Sequence, residues 1–364
     1  MSHIPLQGLG HRCSWEQSSN CNCEEDNDTM AKTHNINRSI ACENSIELDQ
    51  AYSRRQCLLG VCAFAALAGQ IVPSPARGAA DLSAKTRLIL LGTAGGPTPK
   101  SNRAAPAQVV VVNDRLYVFD AGNGVARQLA MAGLDIGKLK ALFLTHHHSD
   151  HNADIGNVLL LGWAANLATP VTVAGPPPLR DAMAKFFEMN AFDIQTRMAD
   201  EGRQDLKKIV QLKEFTKPGV IYQDDLVKVT AARVNHPPVV NAFAYRIDTP
   251  NRSIVFSGDT APSENLVTLA QGADIMVHEV MHLPSLEKLI ATEPNAKTLR
   301  EHLIASHTST DQVGKVATDA GVKTLVLSHF VPGGYPFLAD NIWYDAVRPF
   351  FKGELIIGRD LMEI

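Results

Sequence analysis

The chain has 364 residues, is 45% hydrophobic and carries a formal net charge of -4. That length and apolar content suffice for one large domain or two small ones with a substantial core. The charge gives no bulk electrostatic argument for a nucleic-acid partner, and no basic run that could track a phosphate backbone is present.

Residues 1 to 51 are polar, rich in Asn, Ser and Glu, and without apolar periodicity, so they are expected to be disordered. "SRRQCLLGVCAFAALAGQIV" follows. Arg54 and Arg55 stand directly before an apolar stretch from Cys57 to about Val72, too short for a membrane span and of signal-peptide length. "SPARGAA" then offers small residues for cleavage after Ala80. The paired arginines resemble a twin-arginine export signal. The expected division is therefore a leader over residues 1–80 and a body over 81–364, with a periplasmic or secreted product. All six cysteines lie at or before Cys62, so the body has neither disulfides nor thiolate metal ligands. The spacing of Cys13, Cys21 and Cys23 matches no zinc pattern.

In the body, "TRLILLGTAGG" reads as a strand and a glycine turn, and "AQVVVVNDRLYVFDAG" as two strands joined at Asn113-Asp114, a hairpin signal. "NGVARQLAMAGL" is a short amphipathic helix. "ALFLTHHH" is a buried strand, followed by a helix expected to begin near Ala153. "PVTVAGP" is a strand, and Pro178 to about Leu206 reads as helical. Strands are expected at "LVKVTAARVNH", "AFAYRIDT", "SIVFSGDT", "DIMVHEVM", "TLVLSHF" and "GELIIGRD", with helices at "SENLVTLAQGA" and "DQVGKVATDAGV". Early hairpins followed by strand–helix alternation place the fold in the mixed α/β (α+β) class, with two sheets flanked by helices. Gly92-Thr93-Ala94-Gly95-Gly96 lacks the spacing of a dinucleotide fingerprint, and a hairpin follows it.

The chemistry is concentrated where apolar runs end in ligand-capable residues: "FLTHHHSDH", "VNH", "VFSGD", "IMVHE" and "LVLSH". His146 and His148 are two apart, so in extended backbone both imidazoles point the same way and His147 points opposite. Asp150 and His151 follow after a turn, within reach of a second ion. A two-metal centre needs further donors and usually a shared carboxylate. His236, Asp259 and His329 are the natural remaining candidates, Asp259 being the best placed as a bridge.

"THHHSDH" resembles the signature of the metallo-β-lactamase superfamily. The later run of "NHPP", "SGDT", "HEVMH", "SHTST" and "LSHF" is similar to its ribonuclease Z branch, over roughly residues 86–364. The resemblance implies a four-layer αββα sandwich with two divalent ions at one edge of the sheets. It implies that His146, His148 and His236 hold the first ion, and that Asp150, His151 and His329 hold the second. Asp259 would bridge them. Zinc is the default for such donors, with manganese or iron chemically allowed. A hydroxide between the ions would be the nucleophile. His307, in "SHTST", would contact the scissile group and protonate the leaving group, with Glu279 supporting it, so that Asp150, His307 and Glu279 form the catalytic set. The plainer alternatives are a residue beside a helix cap for His307 and a surface ion pair for Glu279. His278, His282 and His302 read as structural or as residues packed behind the metal ligands.

Metallo-β-lactamases proper generally lack an aspartate in the bridging place, so Asp259 leans toward sulfate esters or phosphodiesters. A β-lactamase, a lactonase or a ribonuclease Z-type RNA phosphodiesterase is the alternative. The leader and the helical "GPPPLRDAMAKFFEMNAFDIQTRMADEG" are more similar to exported arylsulfatase-like members, which implies a small-molecule ester substrate and no nucleic acid. That insert is expected to overhang the metals. Phe186, Phe187, Met189 and Phe192 would form either an apolar wall for an aryl group or the core face of a helix. Related enzymes are often dimers, and no interface is legible in the sequence.

Overall fold

The computed structural model describes residues 85–364. The leader, its arginine pair and the boundary at residue 80 lie outside the described residues. No described helix is long and apolar enough to cross a membrane.

Two sheets organise the body. The first opens with β1 (Thr86–Gly92) and β2 (Ala107–Val112), paired antiparallel. Asn113 and Asp114 turn β2 into β3 (Arg115–Phe119), with φ of 47° and 64°. Both turn residues are thus left-handed, as a two-residue type I′ hairpin requires, and Asn and Asp tolerate that backbone. The chain then winds through α1 (Val125–Met131), β4 (Leu139–Phe143), α2 (Ser149–Asn152), α3 (Ile155–Ala164) and β5 (Val171–Gly175). It continues through α4 (Leu179–Met189), α5 (Ala191–Glu201) and α6 (Leu206–Ile209) to β6 (Val210–Glu214). The strand order is β1-β2-β3-β4-β5-β6.

The second sheet starts as an antiparallel meander of β7 (Gly219–Gln223), β8 (Lys228–Arg233), β9 (Phe243–Asp248) and β10 (Ser253–Phe256). After α7 (Glu264–Ala270) comes β11 (Ile275–Met281). Three helices follow, α8 (Leu286–Ile290), α9 (Leu299–Ser306) and α10 (Thr310–Asp319), and then β12 (Thr324–Val331). α11 (Asp340–Val347) leads to β13 (Glu354–Ile357), and β10 to β13 run parallel.

Alternation along the strands explains the layering. In β2, Val109 and Val111 face a core shared with Val125, Leu129, Val158 and Trp163 of α1 and α3. Val110 and Val112 face the other way, into a core shared with Phe243, Tyr245, Ile254 and Val326 of the second sheet. The outer face of that sheet packs Val255, Met276 and Leu325 against Leu266, Val313, Trp343 and Val347 of α7, α10 and α11. Two sheets buried on both faces between helical layers make the expected αββα sandwich.

Three aromatics form the floor beneath one edge. Phe119, the last residue of β3, stacks on Phe143, the last of β4, at 4.9 Å, and on Phe256, the last of β10, at 4.3 Å. The polar residues that follow these three strands therefore emerge together.

Two local expectations change. The helix expected to begin near Ala153 is α3, from Ile155, but a separate single-turn helix, α2, precedes it from Ser149 and carries Asp150 and His151. β6 and β7 were not anticipated, since "VQLKE" and "GVIYQ" are half-exposed edge strands with little apolar patterning.

Candidate metal centre

The seven donors anticipated from the sequence converge. One cluster brings ligand atoms of His146, His148, His236 and Asp259 within 4.8 Å of one another, and a second does so for Asp150, His151, Asp259 and His329. Asp259 belongs to both. These His/Asp clusters, buried except for the half-buried His148, are suited to binding divalent metal ions.

The hydrogen-bond partners fix which nitrogens are free. His236 Nδ1 lies 3.0 Å from the Ser306 carbonyl oxygen, which can only accept, so the proton is on Nδ1 and Nε2 presents a bare lone pair. That Nε2 lies 3.0 Å from His148 Nδ1, which is itself 3.0 Å from His146 Nε2. His147 turns away, to the Pro176 carbonyl at 2.9 Å, as the two-residue period requires. On the other side His151 Nδ1 lies 2.8 Å from Asp120 Oδ2. His151 Nε2 and Asp259 Oδ1 are 3.1 Å apart, yet both are buried without a hydrogen-bond partner, as is His329 Nδ1. Buried polar atoms left bare are costly, and two side by side without hydrogen-bonding geometry are what donors to one ion look like.

The electrostatics split the rings: burial disfavours the His151 cation, but Asp259, Asp120 and Asp150 outweigh it and raise its pKa well above the ordinary value, so an arriving ion must displace its Nε2 proton. Burial drives the His146 imidazole well below its ordinary pKa, keeping it neutral as a ligand must be. Burial also works against the Asp259 carboxylate, but His151 and His329 outweigh it and hold Asp259 ionised well below the usual range. Two carboxylates, Asp150 and Asp259, thus share a buried pocket with His329, whose Nε2 is 3.3 and 3.2 Å from them. His329 adopts φ of +43°, a strained conformation for a side-chain-bearing residue, and it sits at a bulge between β11 and β12. A Cβ on Gly95 would come within 2.9 Å of His329 Nδ1, so the "GTAGG" turn needs its glycine to let the ring in.

Sequence reasoning missed Asp120. It follows β3, is buried, has φ of +61°, and accepts from the Thr145 backbone N–H at 2.8 Å as well as holding His151. An aspartate two positions before a glycine, directly after an apolar strand, was the available signal. Gly96 was also missed: its N–H donates to Asp150 Oδ2 at 3.0 Å.

His307 and Glu279 lie beside the clusters, with His307 Nδ1 2.8 Å from Glu279 Oε2. Both are buried, so Glu279 is not a surface ion-pairing residue. Burial disfavours the His307 cation, but the Glu279 charge and hydrogen bond outweigh that and raise its pKa to about 9. The cap is Ser309, which closes a capping box with Gln312 at the start of α10. His278 is a core residue, its pKa lowered to about 4 by burial, and His282 meets Ser285 and Trp343. His302 packs edge-on beside the candidate ligands His148 and His236, as the second of the two expected readings has it, and lines the cavity over the donors.

That cavity has a volume of about 360 Å³, and His148, Asp150, Asp259, His307 and His329 all open onto it. Its apolar wall comes from α8, α9 and their connection. The insert that was expected to overhang the site lines no part of it. Phe187 is buried, and Phe186 packs so closely on α3 that a Cβ on Gly156 would meet its ring at 2.3 Å. Met189 and Phe192 are 76% and 84% exposed. The amphipathic pattern of α4 serves the helix layer, and what remains apolar faces outward.

A model described as a beta-lactamase superfamily domain matches residues 115–330, and the chain belongs to the metallo-β-lactamase superfamily. Within it, the chain is 34% identical over 280 residues to the ribonuclease Z of Mycolicibacterium gilvum (strain PYR-GCK), covering 76% of this chain and 95% of that protein. Two solved structures share the fold. The metallo-beta-lactamase fold protein YhfI from Bacillus subtilis has a TM-score of 0.56 at 19% identity, covering 77% of this chain and 99% of that one. Human tRNase Z, short form, has a TM-score of 0.55 at 20% identity, covering 76% and 98%. The protein is a metallo-β-lactamase-fold hydrolase. The expectation of a chain without a nucleic-acid partner is overturned by a relative named as a ribonuclease at this identity and coverage. Net charge was a poor guide, because it averages over the surface and says nothing of a few groups at one cavity.

Proposed function

We propose that the protein is a dinuclear metal-dependent phosphodiesterase of the ribonuclease Z type, acting on RNA phosphodiesters. The observation that carries this is the convergence of two four-donor clusters sharing Asp259, with the buried Glu279–His307 pair opening onto the same cavity. His146, His148 and His236 would hold one ion and Asp150, His151 and His329 the other, with Asp259 between them. Bound there, two zinc ions would supply Lewis acidity and lower the pKa of water from near 16 to about 7. The chain's own residues do the rest. Asp120 and the Ser306 carbonyl hold two of the rings in their ligand tautomers. Glu279 fixes the proton on His307 Nδ1 and favours the imidazolium, which leaves Nε2–H as the proton donor to the departing oxygen. We also propose that the Arg54-Arg55 leader directs export, which cell fractionation before and after Arg54→Lys with Arg55→Lys would test.

The experiment is hydrolysis by the zinc- or manganese-loaded full chain, offered a labelled RNA, bis-p-nitrophenyl phosphate and p-nitrophenyl sulfate. Phosphodiester turnover that disappears in Asp259→Ala, together with a fall in bound metal, is the expected result. Sulfate turnover alone would replace this reading with the sulfatase one. Turnover unchanged in Asp259→Ala would remove the metal mechanism altogether.

A further inference from the structure

The cavity has two unlike rims, and neither consists of candidate metal ligands. On one side α9 turns a stripe toward the donors, with Leu299 and Leu303 at i, i+4 and His302 beside them, and Leu289 of α8 joins it. Leu303 packs with Met281, Leu286 and Val331 in a small core of its own, separate from the three main cores. The α8–α9 cap is thus anchored locally, and its inner face is left apolar over a polar floor. The half-buried imidazole of His302 lies edge-on to His148 and His236, with ring centres 6.2 and 6.1 Å away, and its Nδ1 is 3.3 Å from Ser306 Oγ.

Lys100 stands on the other rim. Its stem lies over Gly334, where a Cβ would meet the lysine Cδ at 2.8 Å. Its ammonium donates to the Thr98 carbonyl and hydroxyl at 2.6 and 2.5 Å. It forms no ion pair among the described residues, and Glu293 shares the cavity lining without pairing to it. A half-buried cation with spare donor capacity beside a metal-suited cluster is built to receive an anion.

We propose that this cavity is a single-nucleotide subsite, in which the α8–α9 cap seats the base next to the scissile phosphate and Lys100 takes a phosphate oxygen. The inference rests on the phosphodiesterase reading and adds to it a recognition element. A volume of about 360 Å³ is at the small end for ligand pockets, matching one nucleotide and excluding a helix. The side chains of Leu289, Leu299 and Leu303 offer an apolar contact to a base face and carry no hydrogen-bonding group, so this wall does not choose among bases.

Calorimetric binding of adenosine monophosphate and of inorganic phosphate to the metal-loaded full chain tests it. The monophosphate should bind about tenfold more tightly than phosphate, or about 1.4 kcal/mol. Leu299→Ala should bring the ratio near one with phosphate affinity unchanged, and Leu299→Met, which keeps volume, should preserve the ratio. Lys100→Gln should weaken both ligands by a similar factor. Equal affinities in the unsubstituted protein, or a ratio unmoved by Leu299→Ala, would overturn the subsite. Turnover of bis-p-nitrophenyl phosphate, measured on the same samples, separates the two readings. Turnover with no nucleotide preference removes the subsite alone. Nucleotide preference without turnover removes the phosphodiesterase reading and leaves only a nucleotide-binding cavity, with no scissile phosphate beside the base.

Discussion

Asp120 Oδ2 lies 2.8 Å from His151 Nδ1, and both residues are buried. The carboxylate keeps a proton on Nδ1 and aims Nε2 at Asp259, 3.1 Å away. A carboxylate behind a ligating histidine also raises the ligand's basicity, and its loss costs about 10- to 100-fold in metal affinity. Asp120→Asn should therefore weaken zinc binding by about that factor in a competition titration against a chromophoric chelator. An unchanged affinity would mean that Asp120 serves only to hold the Thr145 backbone.

Gly122 follows two residues later and makes a different contact with the same ligand turn. A Cβ at this position would come within 2.3 Å of the Asp150 carbonyl oxygen and 2.9 Å of the Pro106 carbonyl oxygen. Both neighbours are backbone, and the Ala121 N–H already ties this segment to the His151 carbonyl at 2.7 Å. Gly122→Ala must push α2 outward. The expected cost is about 1–3 kcal/mol in denaturant unfolding, with reduced metal content at the site holding Asp150 and His151. Full metal content would show that α2 can shift as a unit.

The ligand set was legible because its signal is local: each donor ends an apolar run, and His146 and His148 share the two-residue period of extended backbone. The layer architecture was legible from strand–helix alternation in the same way. Asp120 was not, because its role depends on β3 and β4 being neighbours with matched ends, a fact of register that composition does not carry. The insert was misplaced for the converse reason. Its apolar residues have a helical period, which says that one face is buried but not against what, and the partner proved to be α3. The wall over the cavity was missed because α8 and α9 are short and the latter is mostly polar outside Leu299, Leu303 and Ile304.

Phe119 joins the core to the site. Its ring contacts Phe143 at the end of the adjacent β4 and Phe256 at the end of β10 in the other sheet, in both cases near-parallel, at interplanar angles of 26° and 27°. Replacing a buried phenylalanine with alanine costs about 3–5 kcal/mol through lost burial and the cavity left behind. Phe119→Ala should lose about that much in urea unfolding of the metal-free protein. It should also loosen the metal clusters, since Asp120, His146 and Asp259 all emerge from this floor. Weakened stability with unaltered metal affinity would separate the floor from the site.

Glu279 supports His307 through one charged hydrogen bond at 2.8 Å, and pH dependence reads that bond directly. Burial alone would lower the imidazole's pKa below 6.5, and it is the Glu279 charge that lifts it to about 9. A group raised on folding stabilises fully below its unfolded pKa, and that contribution is lost as pH rises through the folded value. In the metal-free protein, the stability advantage over Glu279→Gln should therefore be greatest where His307 is protonated in both states and Glu279 is still ionised; it should shrink as pH rises from about 6.5 to 9, and also at acid pH, where the Glu279 carboxyl, raised by burial, takes up a proton. If His307 acts as the proton donor, the alkaline limb of kcat should also move to lower pH in Glu279→Gln. Bound cations depress the imidazole in both proteins, so the quantity to compare is the displacement between them. His307→Asn should remove the limb and lower kcat by about 10²- to 10⁴-fold with metal retained. A limb that stays in place in both variants would assign the proton transfer to another group, and loss of metal in His307→Asn would make His307 a ligand instead.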